Sequence, residues 1–152
     1  MEYEFMKFDL DRLMEERNID AFLILGTEHE NTDREYITNG VHASSTVIKK
    51  RGADPVLIVS GMEMDEAKKS GLPVMNVFDF GYAEILKEYR GQPYAVQREY
   101  YRNILNHFEI TGRLAIYGTV SAMGFFKLTN TLRDGLDFVE LVEDEHPDIF
   151  TI

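Results

Sequence analysis

The sequence predicts a single α/β domain of three layers, in which helices cover both faces of a mixed sheet of about six strands. Short apolar runs of strand type alternate along the chain with segments whose apolar residues recur at helical spacing. Strands separated by helices favour parallel crossovers, whereas the turn at 49–54 joins two β-rich segments directly and predicts one antiparallel hairpin. With 152 residues, of which 44% are apolar, the chain is large enough to bury a core of its own.

The first half of the chain holds one helix, the hairpin and a short second helix. Asp9 is typical of a helix N-cap, and apolar residues follow it at helical spacing as far as Asn18, where we expect the helix to stop. The apolar run 21–25, ended by a glycine, predicts a buried strand. The other predicted elements of this half are a short segment at 36–37, hairpin strands at 44–50 and 55–60, and a helix at 62–69 that Gly71 closes.

The second half alternates strands and helices. Its predicted elements are strands at 74–78, 113–118 and 137–142 and helices at 82–89, 95–108 and 121–133, with glycines at 112 and 135 as boundaries. Pro147 is typical of the first turn of a helix, yet the sequence stops at Ile152. We therefore expect the domain to span 1–144 and interpret 145–152 as the start of a linker helix to a C-terminal domain. A frayed terminus is the alternative.

The charge of the chain limits the classes of partner that it can bind. Its formal net charge of −11 opposes binding to nucleic acid, where clustered Lys and Arg contact phosphates, and to anionic membranes. No cysteine is present, so neither a disulfide nor a thiolate metal site can form. The acidic N-terminal segment is not typical of a signal peptide, and no apolar run approaches the length of a membrane span. We expect a cytoplasmic protein without nucleic-acid or membrane partners.

The common catalytic and nucleotide-binding motifs are missing from the sequence. It contains no G-x-G-x-x-G, no G-x-x-x-x-G-K-[ST], no G-x-S-x-G and no H-E-x-x-H. The most metal-like cluster is the acidic stretch with Glu28, His29, Glu30 and Asp33, whose oxygen ligands suit a hard cation. Its spacing matches no calcium loop, so we interpret it as a solvated acidic loop. We expect neither a catalytic residue nor a metal ligand in this chain.

Three segments follow one another in a distinctive order: Arg12 to Ile24 (RLMEERNIDAFLI), Arg34 to Gly40 (REYITNG) and Pro55 to Val59 (PVLIV). Together they resemble the N-terminal domain of the creatinase/prolidase/Xaa-Pro aminopeptidase family. In that family a helix leads through Gly/Asn-apolar-Asp-Ala-apolar into a strand, followed by a Tyr-Leu-Thr-Gly-like turn and a hairpin. Here Ile37 replaces the leucine, and Asn39 is inserted before the glycine or replaces it. The resemblance covers nearly the whole chain and implies a three-layer, ribonuclease H-like α/β/α fold with a mixed sheet.

The resemblance also implies that this chain is not itself catalytic. In the family the chemistry belongs to a following pita-bread domain, where two Asp, one His and two Glu hold two metal ions, commonly manganese, cobalt or zinc. No position of this sequence matches those ligand motifs. The implied function is that of the non-catalytic N-terminal domain of a Xaa-Pro dipeptidase or aminopeptidase, a hydrolase of short proline-containing peptides. Such a domain helps to form the homodimer and limits access to the active site, and we predict that the chain alone is inactive.

The loop after 36–38 is the part of the chain that approaches the active site in the family. The resemblance therefore makes Asn39, Gly40 and His42 candidates for substrate-access residues; a plain turn capped by Asn39 and Gly40 is the alternative. Two other functions stay open at this stage. One is a free-standing binding or assembly module of the same fold, and the other is the N-terminal domain of a creatinase-type amidinohydrolase.

Overall fold

The computed structural model describes residues 2–26, 45–119 and 122–142. Its six strands form one sheet in the order β4-β3-β2-β1-β5-β6. They are β1 (Ala21–Gly26), β2 (Ser45–Lys50), β3 (Val56–Val59), β4 (Val74–Asn76), β5 (Gly112–Thr119) and β6 (Val139–Leu141). Strand β2 is antiparallel to both β1 and β3, whereas all the other neighbours are parallel. The predicted mixed sheet with its hairpin is confirmed.

The helices connect the strands and lie on both faces of the sheet. They are α1 (Glu2–Glu16), α2 (Met64–Lys68), α3 (Tyr82–Glu88), α4 (Pro93–His107) and α5 (Ala122–Gly135). Two 3₁₀ turns, Gly61–Glu63 and Val77–Phe80, directly follow β3 and β4. The sequence therefore located every described helix, with differences at the boundaries.

The prediction that the first helix begins at Asp9 is wrong, because α1 already begins at Glu2. Glu, Met and Lys are good helix formers, and acidic residues suit the positive N-terminal end of a helix. Asp9 lies inside the helix, where its carboxylate is 3.6 Å from the Arg12 guanidinium one turn later. An aspartate within a helix can thus be held by an i,i+3 ion pair instead of a cap.

The predicted strand 74–78 is also too long, since β4 ends at Asn76. The Asn76 side chain accepts a hydrogen bond from the Phe78 amide at 3.0 Å, and the Asp79 carboxylate accepts one from the Asn76 amide at 2.9 Å. This reciprocal capping box starts the 3₁₀ turn and ends the strand. Similarly, the predicted strand 137–142 is confined to Val139–Leu141.

Alternate residues of the central strands supply two separate cores, one on each face of the sheet. On one face α1 packs on β1 through Leu10, Met14 and Phe22, all 1% exposed or less. On the other face α4 and α5 cover the strands, and the members of this second core include Leu23, Ile58, Ile104, Leu114 and Leu132. Burial on both faces gives the predicted three layers.

The junction between α1 and β1 explains the Asn-Ile-Asp-Ala motif. Asn18 has a φ of 55° and follows the helix end, where the Ile19 amide bonds to the Met14 carbonyl at 2.8 Å and the Asn18 amide to the Glu15 carbonyl at 3.1 Å. This is the Schellman geometry, in which Gly or Asn is favoured at the left-handed position.

Asp20 then joins the amino ends of β1 and β5 to the carboxyl end of β2. Its carboxylate accepts hydrogen bonds from the Arg113 amide at 2.8 Å and from the Arg51 guanidinium at 3.0 Å. Its backbone amide bonds to the Arg113 carbonyl, and its carbonyl accepts from the Arg51 amide. One aspartate thus fixes β1 between β2 and β5.

Lys49 does not belong to the turn predicted at 49–54 but lies in β2 with its side chain fully buried. Its Nζ donates to Asp11 Oδ1 on α1 at 2.5 Å and to the Ala53 carbonyl at 2.8 Å. Asp11 also accepts from the Gly52 amide at 2.9 Å. A buried charge is tolerated when it is paired and hydrogen-bonded, and this pair attaches the hairpin turn to α1.

Candidate functional site

One edge of the sheet gathers the carboxyl ends of β1, β3, β4 and β5, together with the start of the antiparallel β2. We call it the carboxyl edge. The pairing of Gly26 with Thr119 and of Val59 with both Ser45 and Asn76 places these ends side by side. From β1 the chain continues toward β2, and from β5 it continues toward β6 on the other side. The carboxyl ends of β1 and β5 therefore form a topological switch point, where open α/β sheets commonly bind ligands.

The sequence-predicted site residues Asn39, Gly40 and His42 lie within 27–44, outside the described residues. So does the acidic stretch 28–33. The described strands nevertheless fix the two ends of this segment, since β1 ends at Gly26 and β2 begins at Ser45. Both ends lie at the carboxyl edge. The predicted linker 145–152 is likewise outside the described residues. The last described strand, β6, ends at Leu141, which pairs with Leu114 near the start of β5, so β6 does not reach the carboxyl edge.

Large apolar side chains are exposed in the elements that begin at the carboxyl edge. Met62 and Phe78 lie in the two 3₁₀ turns after β3 and β4 and are 97% and 56% exposed. Met123 and Phe126 lie in the first turns of α5, directly after β5, and are 62% and 59% exposed. Exposed apolar residues scattered over a surface need no explanation, but several at one end of a domain are a common feature of interaction surfaces.

A second feature is a groove of about 950 Å³ between α3, the turn at 89–92, α4 and the start of α5. We call it the tyrosine groove, because five tyrosines line it: Tyr82, Tyr89, Tyr94, Tyr100 and Tyr101. Bonds from Thr131 Oγ1 to Gln97 and from Arg102 to the Gly135 carbonyl show that α4 and α5 run in the same direction. The first turns of both helices, which border the groove, therefore lie toward the carboxyl edge.

The tyrosines pack against one another as a rigid wall. The ring centroids of Tyr82 and Tyr100 are 5.2 Å apart, and those of Tyr100 and Tyr101 are 5.6 Å apart, both with edge-to-face geometry. The ring of Phe80 also packs edge to face against Tyr100, with the ring centroids 6.4 Å apart. Such edge-to-face contacts add to the free energy of burial and fix the ring positions.

Burial also keeps the groove wall uncharged. It raises the pKa of Tyr101 to about 12 and raises the pKa of Tyr100 further, with smaller contributions from the neighbouring Tyr101 and Tyr82. Removal from water disfavours the phenolate, so both hydroxyls stay protonated at neutral pH.

The charged residues that line the groove are all basic. Lys87, Arg90 and Lys127 border it, and no Asp or Glu occurs among its lining residues in the described part of the chain. This is unusual for a chain with 27 acidic and 16 basic residues. No carboxylate of the described residues forms an ion pair with any of the three cations. An apolar, aromatic groove bordered by unpaired cations suits an organic anion.

The sequence did not predict the groove, because it arises where three helices meet. The local signal was the aromatic density of 82–101, which contains five of the eight tyrosines. Residues 94 and 101, two helical turns apart, lie on one side of α4 and both border the groove. In the described residues, no three His, Asp or Glu side chains lie close enough to hold a metal ion. No helix of this part is long and apolar enough to cross a membrane.

Comparisons of the sequence and of the fold with known proteins agree on one family. Residues 9–143 match the family described as Creatinase/Prolidase N-terminal domain. The fold is similar to that of a Xaa-Pro dipeptidase from Bacillus anthracis, with a TM-score of 0.61 and 15% identity over 95% of this chain and 34% of that one. The chain thus spans about a third of the length of that enzyme. A comparison with curated protein sequences gives no match.

In two other similar structures the matched chain is shorter, and this chain aligns with almost all of it. One is the N-terminal domain of the cytoplasmic peptidase PepQ from Mycobacterium tuberculosis H37Rv, with a TM-score of 0.57 and 16% identity over 93% of this chain and 94% of that one. The other is an aminopeptidase P from Streptococcus thermophilus, with a TM-score of 0.60 and 11% identity over 99% and 97% of the two chains. Identities this low support a common fold.

Proposed function

The chain belongs to the creatinase/prolidase N-terminal domain family, and we propose that it serves as the non-catalytic N-terminal domain of a Xaa-Pro dipeptidase or aminopeptidase. In that protein it contributes to the homodimer and to substrate access, and its parent acts on short proline-containing peptides in the cytoplasm. The observation that carries this proposal is the carboxyl edge. Exposed apolar side chains and both ends of 27–44 lie there.

This arrangement supports a surface that packs against a following domain or a second subunit. Met62, Phe78, Met123 and Phe126 are available for burial against such a partner. In the same proposal Asn39, Gly40 and His42 border the path of the substrate, because their segment begins and ends at this edge. A cluster of exposed apolar side chains gains free energy when a partner removes it from water.

The metal chemistry of the proposed parent lies outside this chain. We assign the two metal ions, manganese, cobalt or zinc, to the following domain, because the metal ligands of this family belong to that domain. There they would activate a water molecule and polarise the scissile carbonyl. The role of this chain is to position and restrict the substrate.

Assay of the purified chain tests the catalytic half of the proposal. Incubated with a Xaa-Pro dipeptide and added manganese or cobalt, it should release no more proline than the same sample after heat inactivation. A full-length Xaa-Pro dipeptidase serves as the positive control. Proline release that follows the chain through successive chromatographic steps would show that the domain is itself catalytic.

Sequencing the gene beyond codon 152 separates this proposal from a free-standing module. An open frame that continues for about two further domain-lengths and encodes spaced Asp, His and Glu ligands supports a peptidase or a creatinase-type amidinohydrolase. A stop codon there supports a binding or assembly module. Activity of the longer protein on Xaa-Pro dipeptides or on creatine then distinguishes the two enzyme classes.

The role of the carboxyl edge can be tested with serine variants. Met62→Ser and Phe126→Ser should leave the unfolding free energy of this chain unchanged within about 0.5 kcal/mol, since both side chains are exposed. In the longer protein they should weaken dimerisation or domain packing, measured by sedimentation and thermal unfolding. Ala53→Ser, in the exposed turn at the opposite edge, is the matched control. Unchanged assembly in both edge variants would contradict the proposed docking role.

A further inference from the structure

The tyrosine groove has the features of a ligand site in its own right. Its volume of about 950 Å³ lies within the range of small-ligand pockets, and its wall is aromatic. Grooves lined by aromatic side chains bind proline-rich segments, because the stiff polyproline conformation loses little entropy on binding and the pyrrolidine rings pack on the aromatic faces. The fixed packing of Tyr82, Tyr100 and Tyr101 provides such a preformed wall.

The cations at the border of the groove favour a ligand that carries a negatively charged group in addition to its apolar rings. Lys87 lies in the last turn of α3, Arg90 lies in the turn that follows it, and Lys127 borders the groove from α5. A carboxylate bound by ammonium or guanidinium groups gains charge-assisted hydrogen bonds. Because no acidic residue lines the described groove, an anionic group can approach it without local repulsion, although the chain as a whole is strongly negative.

We infer that the tyrosine groove binds short proline-containing peptides by their pyrrolidine rings and their free C-terminal carboxylate. The groove is distinct from the site that the proposed function places at the carboxyl edge and in the following domain. The choice of proline over other apolar residues rests partly on the proposed function; the requirement for a carboxylate and a ring rests on the groove alone. Bound there, a substrate or product peptide is held next to the edge from which the substrate path leads.

Peptide titrations of the purified chain test this assignment. The probe is Gly-Pro-Pro with a free carboxylate, and binding is followed by calorimetry and by tyrosine fluorescence, which is accessible because the chain has no tryptophan. Saturable binding is expected. The C-terminal amide of Gly-Pro-Pro and the free acid Gly-Ala-Ala should each bind about fivefold more weakly or worse, since each lacks one of the two recognised groups.

Variants then locate the binding site. Lys127→Gln and Arg90→Gln should each weaken binding of the free acid about threefold to fivefold and leave the amide unaffected, and Tyr94→Leu should reduce the preference for proline. Lys68→Gln, an exposed lysine on α2 outside the groove, is the matched control. Circular dichroism checks that each variant is folded.

Three results would overturn the assignment. They are the absence of saturable binding, equal binding of Gly-Ala-Ala or benzoate, and binding that the groove variants leave unchanged. The second result would redefine the groove as a general site for organic anions. None of them bears on the proposed role as an N-terminal domain, which depends on activity and assembly of the longer protein.

Discussion

Replacing Gly112 by alanine should be among the most damaging small substitutions in the domain. Gly112 begins β5 with a φ of +92°, a backbone conformation that side chains with a Cβ disfavour. A Cβ at this position would lie 2.3 Å from Asp20 Oδ2 and 3.2 Å from Asp20 Cγ. The carboxylate would have to move, and its hydrogen bond from the Arg113 amide, now 2.8 Å long, would be lost or stretched.

The magnitude follows from two costs and one gain. The positive φ costs an alanine about 1–2 kcal/mol. Breaking the hydrogen bond from the Arg113 amide to the Asp20 carboxylate costs about 1–3 kcal/mol, because the acceptor is charged and the amide is left unsatisfied. Reduced entropy of the unfolded chain returns about 0.4–1 kcal/mol. We therefore expect Gly112→Ala to lower the unfolding free energy by roughly 3 kcal/mol.

Gly52→Ala is the matched control, because Gly52 has a nearly equal φ of +87° but no atom within 4 Å of the added Cβ. It should show the conformational cost alone, about 1 kcal/mol. In an Asp20→Ala background the clash disappears, since the Asp20 Cβ is 3.7 Å from the new methyl group, and the cost of Gly112→Ala should fall to the same value.

The assay is urea unfolding followed by far-ultraviolet circular dichroism. Equal destabilisation by Gly112→Ala and Gly52→Ala would refute this account of Asp20. An undiminished effect of Gly112→Ala in the Asp20→Ala background would refute it as well, because coupled residues must show a non-additive double-mutant cycle.

Three further predictions concern the same unfolding assay. Glu109 follows the C-cap of α4 with a φ of 54°. Glu109→Gly should therefore stabilise the domain by about 1 kcal/mol, whereas Glu109→Ala should have little effect. Asp11→Ala should cost at least about 1 kcal/mol more than Lys49→Met, because it keeps the buried ammonium and removes a carboxylate oxygen 2.5 Å away. Burial raises the pKa of Tyr101 from 10.0 to about 12. The contribution of its protonated hydroxyl to the free energy of unfolding is therefore complete below pH 10 and is lost as the pH rises to 12. Wild type should lose roughly 2–3 kcal/mol more than Tyr101→Phe over that interval, and parallel pH profiles would contradict the assignment.

The sequence located most strands because their signals are local. The apolar run before Gly26 and the β-rich segments on either side of the hairpin turn carry the information within a few residues. Strand order is different. The pairing of β1 with β5 joins residues about ninety positions apart, and only the two cores on either side of the sheet select it.

Lys49 shows why a local pattern can mislead. Three basic residues in a row are typical of a solvated turn, but the strand alternation turns the first of them toward the interior, where Asp11 of α1 meets it. Nothing within the hairpin itself reveals that partner. The tyrosine groove escaped prediction for the same reason, because its wall and its cations come from α3, α4 and α5.

The two edges of the sheet divide stability and interaction between them. At the amino edge, the end of the sheet where β1 and β5 begin, Asp20 accepts hydrogen bonds from Arg51 and Arg113. A single methyl group added at the neighbouring Gly112 has no room beside the Asp20 carboxylate. At the carboxyl edge, by contrast, apolar side chains such as Met62 remain exposed. Substitutions at the amino edge should therefore act through folding, and those at the carboxyl edge through binding and assembly. A scaffold fixed at one end and open at the other is what a domain needs if it must hold a substrate path in place without performing the reaction.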